Sequence, residues 1–167
     1  RRGLKSDGIK KRISMLREAC PDIAIRTSII VGFPGEEEED FNELIDFIKE
    51  VKFDRLGVFT YSDEEGTYAA DNLDDNIPDK IKQERYDKIM MIQQEISLEK
   101  NKALVGTKDM VVIDKSSEDE GWSIARSYRD APEIDNYVRI DEYVPEGKFV
   151  NVKYIDAFEY DLLAKRI

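Results

Sequence analysis

Histidine is missing from this 167-residue chain, and cysteine occurs once, as Cys20. Without histidine the chain contains no Ser-His-Asp triad, no Cys-His pair and no His-ligated zinc site. One thiol forms no internal disulfide, which fits a reducing, cytoplasmic setting, and it does not hold an iron–sulfur cluster, which takes several thiolates. No apolar run approaches the roughly 20 residues of a membrane span, so no membrane contact is expected. No signal peptide is expected. The chain opens on "RRGLKSDGIKKRI" rather than on Met, which reads as the middle of a helix in a piece cut from something longer. Basic residues are in the minority, 26 Lys and Arg against 37 Asp and Glu, for a net charge of −11. That average field repels nucleic acid and suits a basic protein partner.

What is present reads as a folded chain of one medium or two small domains, 41% hydrophobic and 38% charged. Ile9, Ile13 and Leu16 recur at helical spacing, which predicts a helix over 6–19, capped by Ser6 or Asp7 and stopped by Pro21. "IAIRTSIIV" predicts a strand buried on both faces. Phe41, Leu44, Ile45 and Ile48 predict a second helix over about 37–50, and "DRLGVFTYS" a second strand. The order α-β-α-β implies parallel strands joined by crossovers. Residues 62–78 read as a polar loop. Pro78 then starts a helix to about 102, with Ile81, Ile89, Ile92 and Ile96 inward. After Gly106 come five short apolar runs, "MVVID", "WSIARSY", "YVRI", "FVNVKYIDAF" and "YDLLAKR". They predict a small all-β, antiparallel barrel of the OB type, with the domain boundary near residue 98.

The sharpest local feature is "RTSIIVGFPGEEEEDF", residues 26–41, where a strand stops at two glycines and passes into four glutamates. Gly32 and Gly35 allow a tight turn and Pro34 stiffens it. Glu36 to Glu39 are expected in the first helical turn, where the macrodipole favours negative charge. Consecutive helical residues fan around the axis, so they do not form a metal site. In open parallel sheets ligands sit at the carboxyl ends of strands. Gly32-Phe33-Pro34-Gly35 occupies one such end and Phe59-Thr60-Tyr61 the next. Exposed main-chain groups there suit an adenine edge, with Phe33 or Val31 on its face. The same spacing equally suits a plain turn with no ligand. Arg26 enters the strand, so its charge calls for a carboxylate or a ligand. Glu64 and Glu65 read as solvated loop carboxylates near the mouth of that site.

"RTSIIVGFPGEEEEDF" resembles the barrel strand "IVGFPGET-EDF" of the radical S-adenosylmethionine methylthiotransferases, with Glu37 where that family usually has Thr. "FDRLGVFTYSDEEGTYA" and "IKQERYDKIMMIQQEIS" resemble the next strand and long connecting helix of the branch that modifies ribosomal protein S12. "RSYRDAPEID" and "DAFEYDLLAKR" resemble its TRAM domain, with Ala125 in place of a usual Gly. Arg26-Thr27, Asp130 to Asp135 and Glu159 to Leu162 favour that branch over the tRNA-modifying branch, which is the alternative.

The resemblance implies a segment of an α/β partial barrel over 1–97 and a TRAM domain over 98–167. It implies S-adenosylmethionine as cofactor, bordered by Val31, Gly32, Phe33, Pro34, Gly35, Phe59, Tyr61 and Arg26. It also implies two 4Fe-4S clusters in the whole enzyme, whose CxxxCxxC ligands are not in this chain. The implied reaction adds a methylthio group to the β-carbon of an aspartate in ribosomal protein S12. The chain alone is expected to be a cytoplasmic, inactive monomer with no catalytic and no metal-ligating residues. TRAM domains usually bind RNA, yet residues 101–167 hold ten Lys and Arg against fourteen Asp and Glu, net −4. "SSEDEG" and the carboxylates Asp130, Glu133 and Asp135 then suit a cationic protein, although such charges also serve simply to solubilise a rim. Trp122 and Tyr128 read as barrel core or aromatic cover, with Arg126 and Arg129 as their basic neighbours.

Overall fold

A computed structural model describes residues 6–167; the opening stretch read as mid-helix, and the Ser6 side chain as a helix cap, lie outside the described residues. Helix α1 (Ser6–Ala19) buries Ile13 but leaves Ile9 and Leu16 largely exposed. Strand β1 (Arg26–Val31) follows, then α2 (Glu38–Val51) and β2 (Arg55–Thr60). Ile13, Val51 and Phe53 form a small cluster with Ile25, Phe47 and Leu56 around them. The guanidinium of Arg17 donates to the carbonyls of Val51 (2.6 Å) and Lys52 (2.9 Å), satisfying acceptors at the end of α2.

β1 and β2 pair in parallel, in register from Arg26–Arg55 to Val31–Thr60. The sheet has two strands, and apolar packing serves one of its faces. Val31 and Val58 are buried there, whereas Ile30 is 55% and Phe59 58% exposed on the other. The expectation of a strand buried on both faces is therefore corrected. β-branched residues satisfy one packed face and line an open one.

The polar loop also contains a turn of helix, α3 (Tyr68–Asn72), which the residue pattern did not predict. Thr67 caps it, accepting from the Ala70 N–H at 3.3 Å. Helix α4 (Asp79–Leu104) then runs 26 residues. No helix of the described residues is long and apolar enough to cross a membrane. The chain divides into two compact units between Gln93 and Gln94, within α4.

The second unit is a closed five-stranded barrel: β3 (Lys108–Ser117), β4 (Trp122–Arg126), β5 (Val138–Ile140), β6 (Phe149–Ala157) and β7 (Leu162–Arg166), in the order β3-β4-β5-β7-β6. Period-two alternation fills it. Val138 and Ile140 point in while Arg139 points out, and Val111 and Ile113 alternate likewise on β3. Each such aliphatic side chain contributes about 1.5–3 kcal/mol on burial. Ala125 is fully buried on β4, so its methyl group packs in the core. The barrel is mixed rather than wholly antiparallel, because β5 and β7 pair in parallel. The reason is parity: a closed ring with an odd number of strands must contain a parallel pair. Register shifts at Ile113/Lys115 and Tyr154/Asp156 bend β3 and β6 into the ring.

Candidate functional site

The corner after β1 is built from the backbone outward. Gly32 (φ +72°) and Gly35 (φ +84°) both take left-handed torsions, and Gly32 is buried. A Cβ on Gly32 would lie 2.4 Å from Cγ of Lys82. The turn closes with the Glu36 N–H donating to the Phe33 carbonyl at 2.9 Å. The Glu36 side chain folds back, accepting from the Gly32 N–H at 3.1 Å and from Nη1 of Arg85 at 2.6 Å.

Glu36 therefore does not belong to the first helical turn, which corrects the reading of the four glutamates as one capping group. The N-cap is Glu37 and the helix starts at Glu38. Asp40 accepts from the Glu37 N–H at 2.9 Å, and Glu38 and Glu39 face the helix N-terminus. What draws Glu36 out of the helix is the buried Arg85, whose side chain is 8% exposed and stacks 5.2 Å from the Phe41 ring.

β2 reaches the same rim. The Tyr61 N–H donates to the Val31 carbonyl at 2.8 Å, and the Phe33 and Tyr61 rings meet edge to face with centroids 5.2 Å apart. The Tyr61 hydroxyl donates to Asp63 at 2.9 Å. Lost solvation first, and then that carboxylate, push the phenol pKa up, so Tyr61 stays neutral at physiological pH.

A cleft of about 1030 Å³ opens on this side of the sheet. Ile30, Phe33, Phe59 and Tyr61 form an aromatic and apolar wall. Ser62, Glu64, Thr67 and Ala69 line it from the segment after β2, and Arg26, Thr27 and Ser28 line it along β1.

Of the residues predicted for the cofactor, Arg26, Phe33, Phe59 and Tyr61 line this cleft. Val31, Gly32 and Pro34 are buried behind it and Gly35 is exposed. Four of the main-chain groups expected to read a ligand edge at the corner have partners within the chain. The Gly32 N–H goes to Glu36, the Val31 carbonyl to Tyr61, the Phe33 carbonyl to Glu36, and the Tyr61 carbonyl accepts from Nζ of Lys82 at 3.3 Å. What faces the cleft is side-chain surface suited to a planar, partly apolar ligand with a polar or anionic end near Arg26.

In the barrel unit the acidic loop is folded on itself. Asp130 is buried and accepts from the Ser127 hydroxyl at 2.7 Å, and Asp135 accepts from the Ala131 N–H at 2.8 Å. These two carboxylates brace the loop, and of the three predicted for partner binding Glu133 alone is exposed, at φ +63°. Arg129 donates to Asp109 at 2.7 Å and stacks on Tyr128 at 4.2 Å. Tyr128 is consequently 58% exposed beneath a guanidinium rather than in the core, and Trp122 is half-buried with its indole N–H on Glu120. Arg126 pairs with Asp114 at 3.0 Å. The Tyr154 hydroxyl donates to Asp109 at 2.9 Å. Burial, then that carboxylate, drive its pKa far up.

Residues 105–167 match the TRAM domain family. Curated relatives align along nearly all of the chain. The ribosomal protein uS12 methylthiotransferase RimO of Psychrobacter arcticus is 47% identical over 167 residues, covering 98% of this chain and 32% of that protein. RimO of Carboxydothermus hydrogenoformans is 48% identical over 159 residues, 94% of this chain and 36% of that protein. RimO of Acinetobacter baumannii is 43% identical over 171 residues, 100% of this chain and 38% of that protein.

Along nearly its whole length the chain is similar to RimO proteins.

It spans about a third of the length of the RimO relatives it matches. Two residues central to the corner, Lys82 and Arg85, were absent from the sequence-level site. The signal was present in their spacing. Positions 82, 85, 89, 92 and 96 follow the helical period, which puts both cations on the face of Ile89, Ile92 and Ile96. A charge at two core positions of a helix indicates buried acceptors, here Asp75 and Glu36.

Proposed function

We propose that this chain is the part of a radical S-adenosylmethionine methylthiotransferase that completes the cofactor cleft and carries the substrate-docking TRAM domain. The supporting observation is that the stretch aligned with the RimO relatives takes in nearly all of the chain, the cleft-lining residues included. Ile30, Phe33, Phe59 and Tyr61 would hold the nucleoside of S-adenosylmethionine, with Arg26, the one cation among the cleft-lining residues, toward its carboxylate. When bound, the cofactor supplies radical chemistry able to act on an unactivated C–H bond. The chain's own residues orient it. The aromatic wall excludes water from one side, and the buried pairs behind the corner keep that wall from shifting.

The iron–sulfur clusters of such an enzyme do not fit this chain. Its sole cysteine, Cys20, is exposed at the end of α1, and no cluster of metal-binding side chains occurs among the described residues. Their ligands belong to the rest of the protein. The substrate of the whole enzyme is an aspartate of ribosomal protein uS12, methylthiolated at its β-carbon in the cytoplasm by a monomeric enzyme. The excess of carboxylates on the barrel unit complements a strongly basic protein and opposes phosphate contacts.

Two titrations test the reading. Addition of S-adenosylmethionine to the isotope-labelled chain is expected to shift the amide resonances of Ser28, Ile30, Phe33 and Phe59; unchanged resonances there refute the cleft assignment. At physiological salt, uS12 is expected to bind the chain and tRNA to leave it unbound. The opposite pattern turns the assignment to a tRNA-modifying enzyme.

A further inference from the structure

We propose that Lys82 is the positioning residue of the cleft. Its ammonium fastens both ends of the segment 61–75, which supplies one cleft wall, and its stem braces the Gly32 turn, which supplies the other.

Lys82 lies in the first turn of α4 and is 4% exposed. A lysine so buried requires partners for its charge. It has the Asp75 carboxylate, the Tyr61 carbonyl at 3.3 Å and the Tyr61 ring at 5.4 Å, with Asp79 at 3.9 Å. Tyr61 and Asp75 stand at opposite ends of one segment, so a single ammonium closes that segment into a loop. The cleft-lining residues Ser62, Glu64, Thr67 and Ala69 all lie between the two anchors.

Apolar burial does not hold this segment in place. Helix α3 within it has no buried residue, and Tyr68 is 71% exposed. The Thr67 hydroxyl and the Tyr61 phenol bond within the segment itself. One ammonium, held by a carboxylate at one end and by a main-chain carbonyl at the other, is what fixes its distance from β1 and β2.

The other wall depends on the same side chain. The stem of Lys82 presses against the backbone of Gly32, where a Cβ would meet Cγ at 2.4 Å, Cδ at 3.1 Å and Cβ at 3.2 Å. That turn presents Phe33, which packs edge to face on Tyr61. One residue therefore touches the supports of both walls without lining the cleft.

The test uses the whole 167-residue chain. Lys82→Met keeps an apolar stem and removes the ammonium, Lys82→Arg keeps a charge, and Asp75→Asn weakens the tie from its other side. Amide hydrogen exchange read by mass spectrometry is expected to speed up about tenfold over residues 62–73 in Lys82→Met and Asp75→Asn. It should stay near the unmodified rate in Lys82→Arg, with the barrel strands unchanged in all three. Unchanged exchange over 62–73, equal acceleration in Lys82→Arg, or acceleration spread over the whole chain each overturns the proposal.

A second arm rests on the cleft being the cofactor cleft: S-adenosylmethionine is expected to bind Lys82→Met about tenfold more weakly and Lys82→Arg nearly as well as the unmodified chain. Equal affinity in Lys82→Met overturns the positioning role. Failure of the unmodified chain to bind S-adenosylmethionine removes the function proposed above and leaves the exchange data to decide on Lys82.

Discussion

Replacing Arg85 by Met removes a guanidinium from the inside of the α/β unit and leaves its carboxylate partner behind. The two side chains are 8% and 13% exposed and meet at 2.6 Å. Breaking a buried pair from one side costs ~3–5 kcal/mol, because the remaining charge has lost its counter-ion. Glu36 keeps the Gly32 N–H at 3.1 Å and some contact with water. The loss should therefore sit near the lower end, about 3 kcal/mol. Adding Glu36→Gln removes the stranded charge, so the double variant should be more stable than the sum of the two single losses predicts, by about 1–3 kcal/mol. Urea titration followed by far-ultraviolet circular dichroism reads the loss. With a slope of ~1–3 kcal/mol per molar urea, the midpoint falls by about 1 M or more. Trp122, the sole tryptophan, sits on β4 and reports the barrel unit separately by fluorescence. A loss below about 0.5 kcal/mol, or strict additivity of the two substitutions, refutes the view that Arg85 and Glu36 form a coupled pair supporting the corner.

Gly32→Ala is expected to cost ~1–2 kcal/mol for its left-handed torsion and more for the contact with Lys82. Adding Lys82→Ala should recover the second part, and a double variant no better than additive, read by the same urea titration, contradicts the steric argument. Tyr154→Phe bears on pH. The raised phenol pKa favours the folded protonated form, so this contribution is complete below the unfolded value near 10 and is lost as pH rises above it. Barrel stability read from Trp122 should decline in alkali for the unmodified chain and decline less for Tyr154→Phe; identical alkaline profiles count against the Tyr154–Asp109 bond. Reconstitution of this chain with iron, sulfide, reductant and S-adenosylmethionine should release no deoxyadenosine above background by chromatography. A clear deoxyadenosine peak shows that residues within this chain support the cleavage.

Much of the local structure was legible because period and punctuation are local properties. The 3.6-residue spacing of Phe41, Ile45 and Ile48 and the stop at Pro21 place α2 and the end of α1 without any partner. The same holds for the five barrel strands, whose inward Val and Ile alternate with outward polar residues. Misreadings came where the outcome depends on what lies opposite. "RTSIIV" is apolar enough for a doubly covered strand, yet a two-stranded sheet with one packed face leaves Ile30 in the open. Glu36 reads as part of the first helical turn, but its carboxylate folds back to Arg85, 49 residues away.

The sequence by itself determined the α-β-α-β order, the five strands, the turn at Gly32–Gly35 and the lack of cluster ligands, since each follows from short-range pattern or from composition. Only the tertiary structure decided which polar groups the interior absorbs. Lys82 reaches Tyr61 across 21 residues and Arg85 reaches Glu36 across 49. Those pairings hold the Tyr61 carbonyl and the Glu36 carboxylate behind the cleft. A buried charge is tolerated only where a distant counter-charge meets it, and no local pattern records where that counter-charge will be.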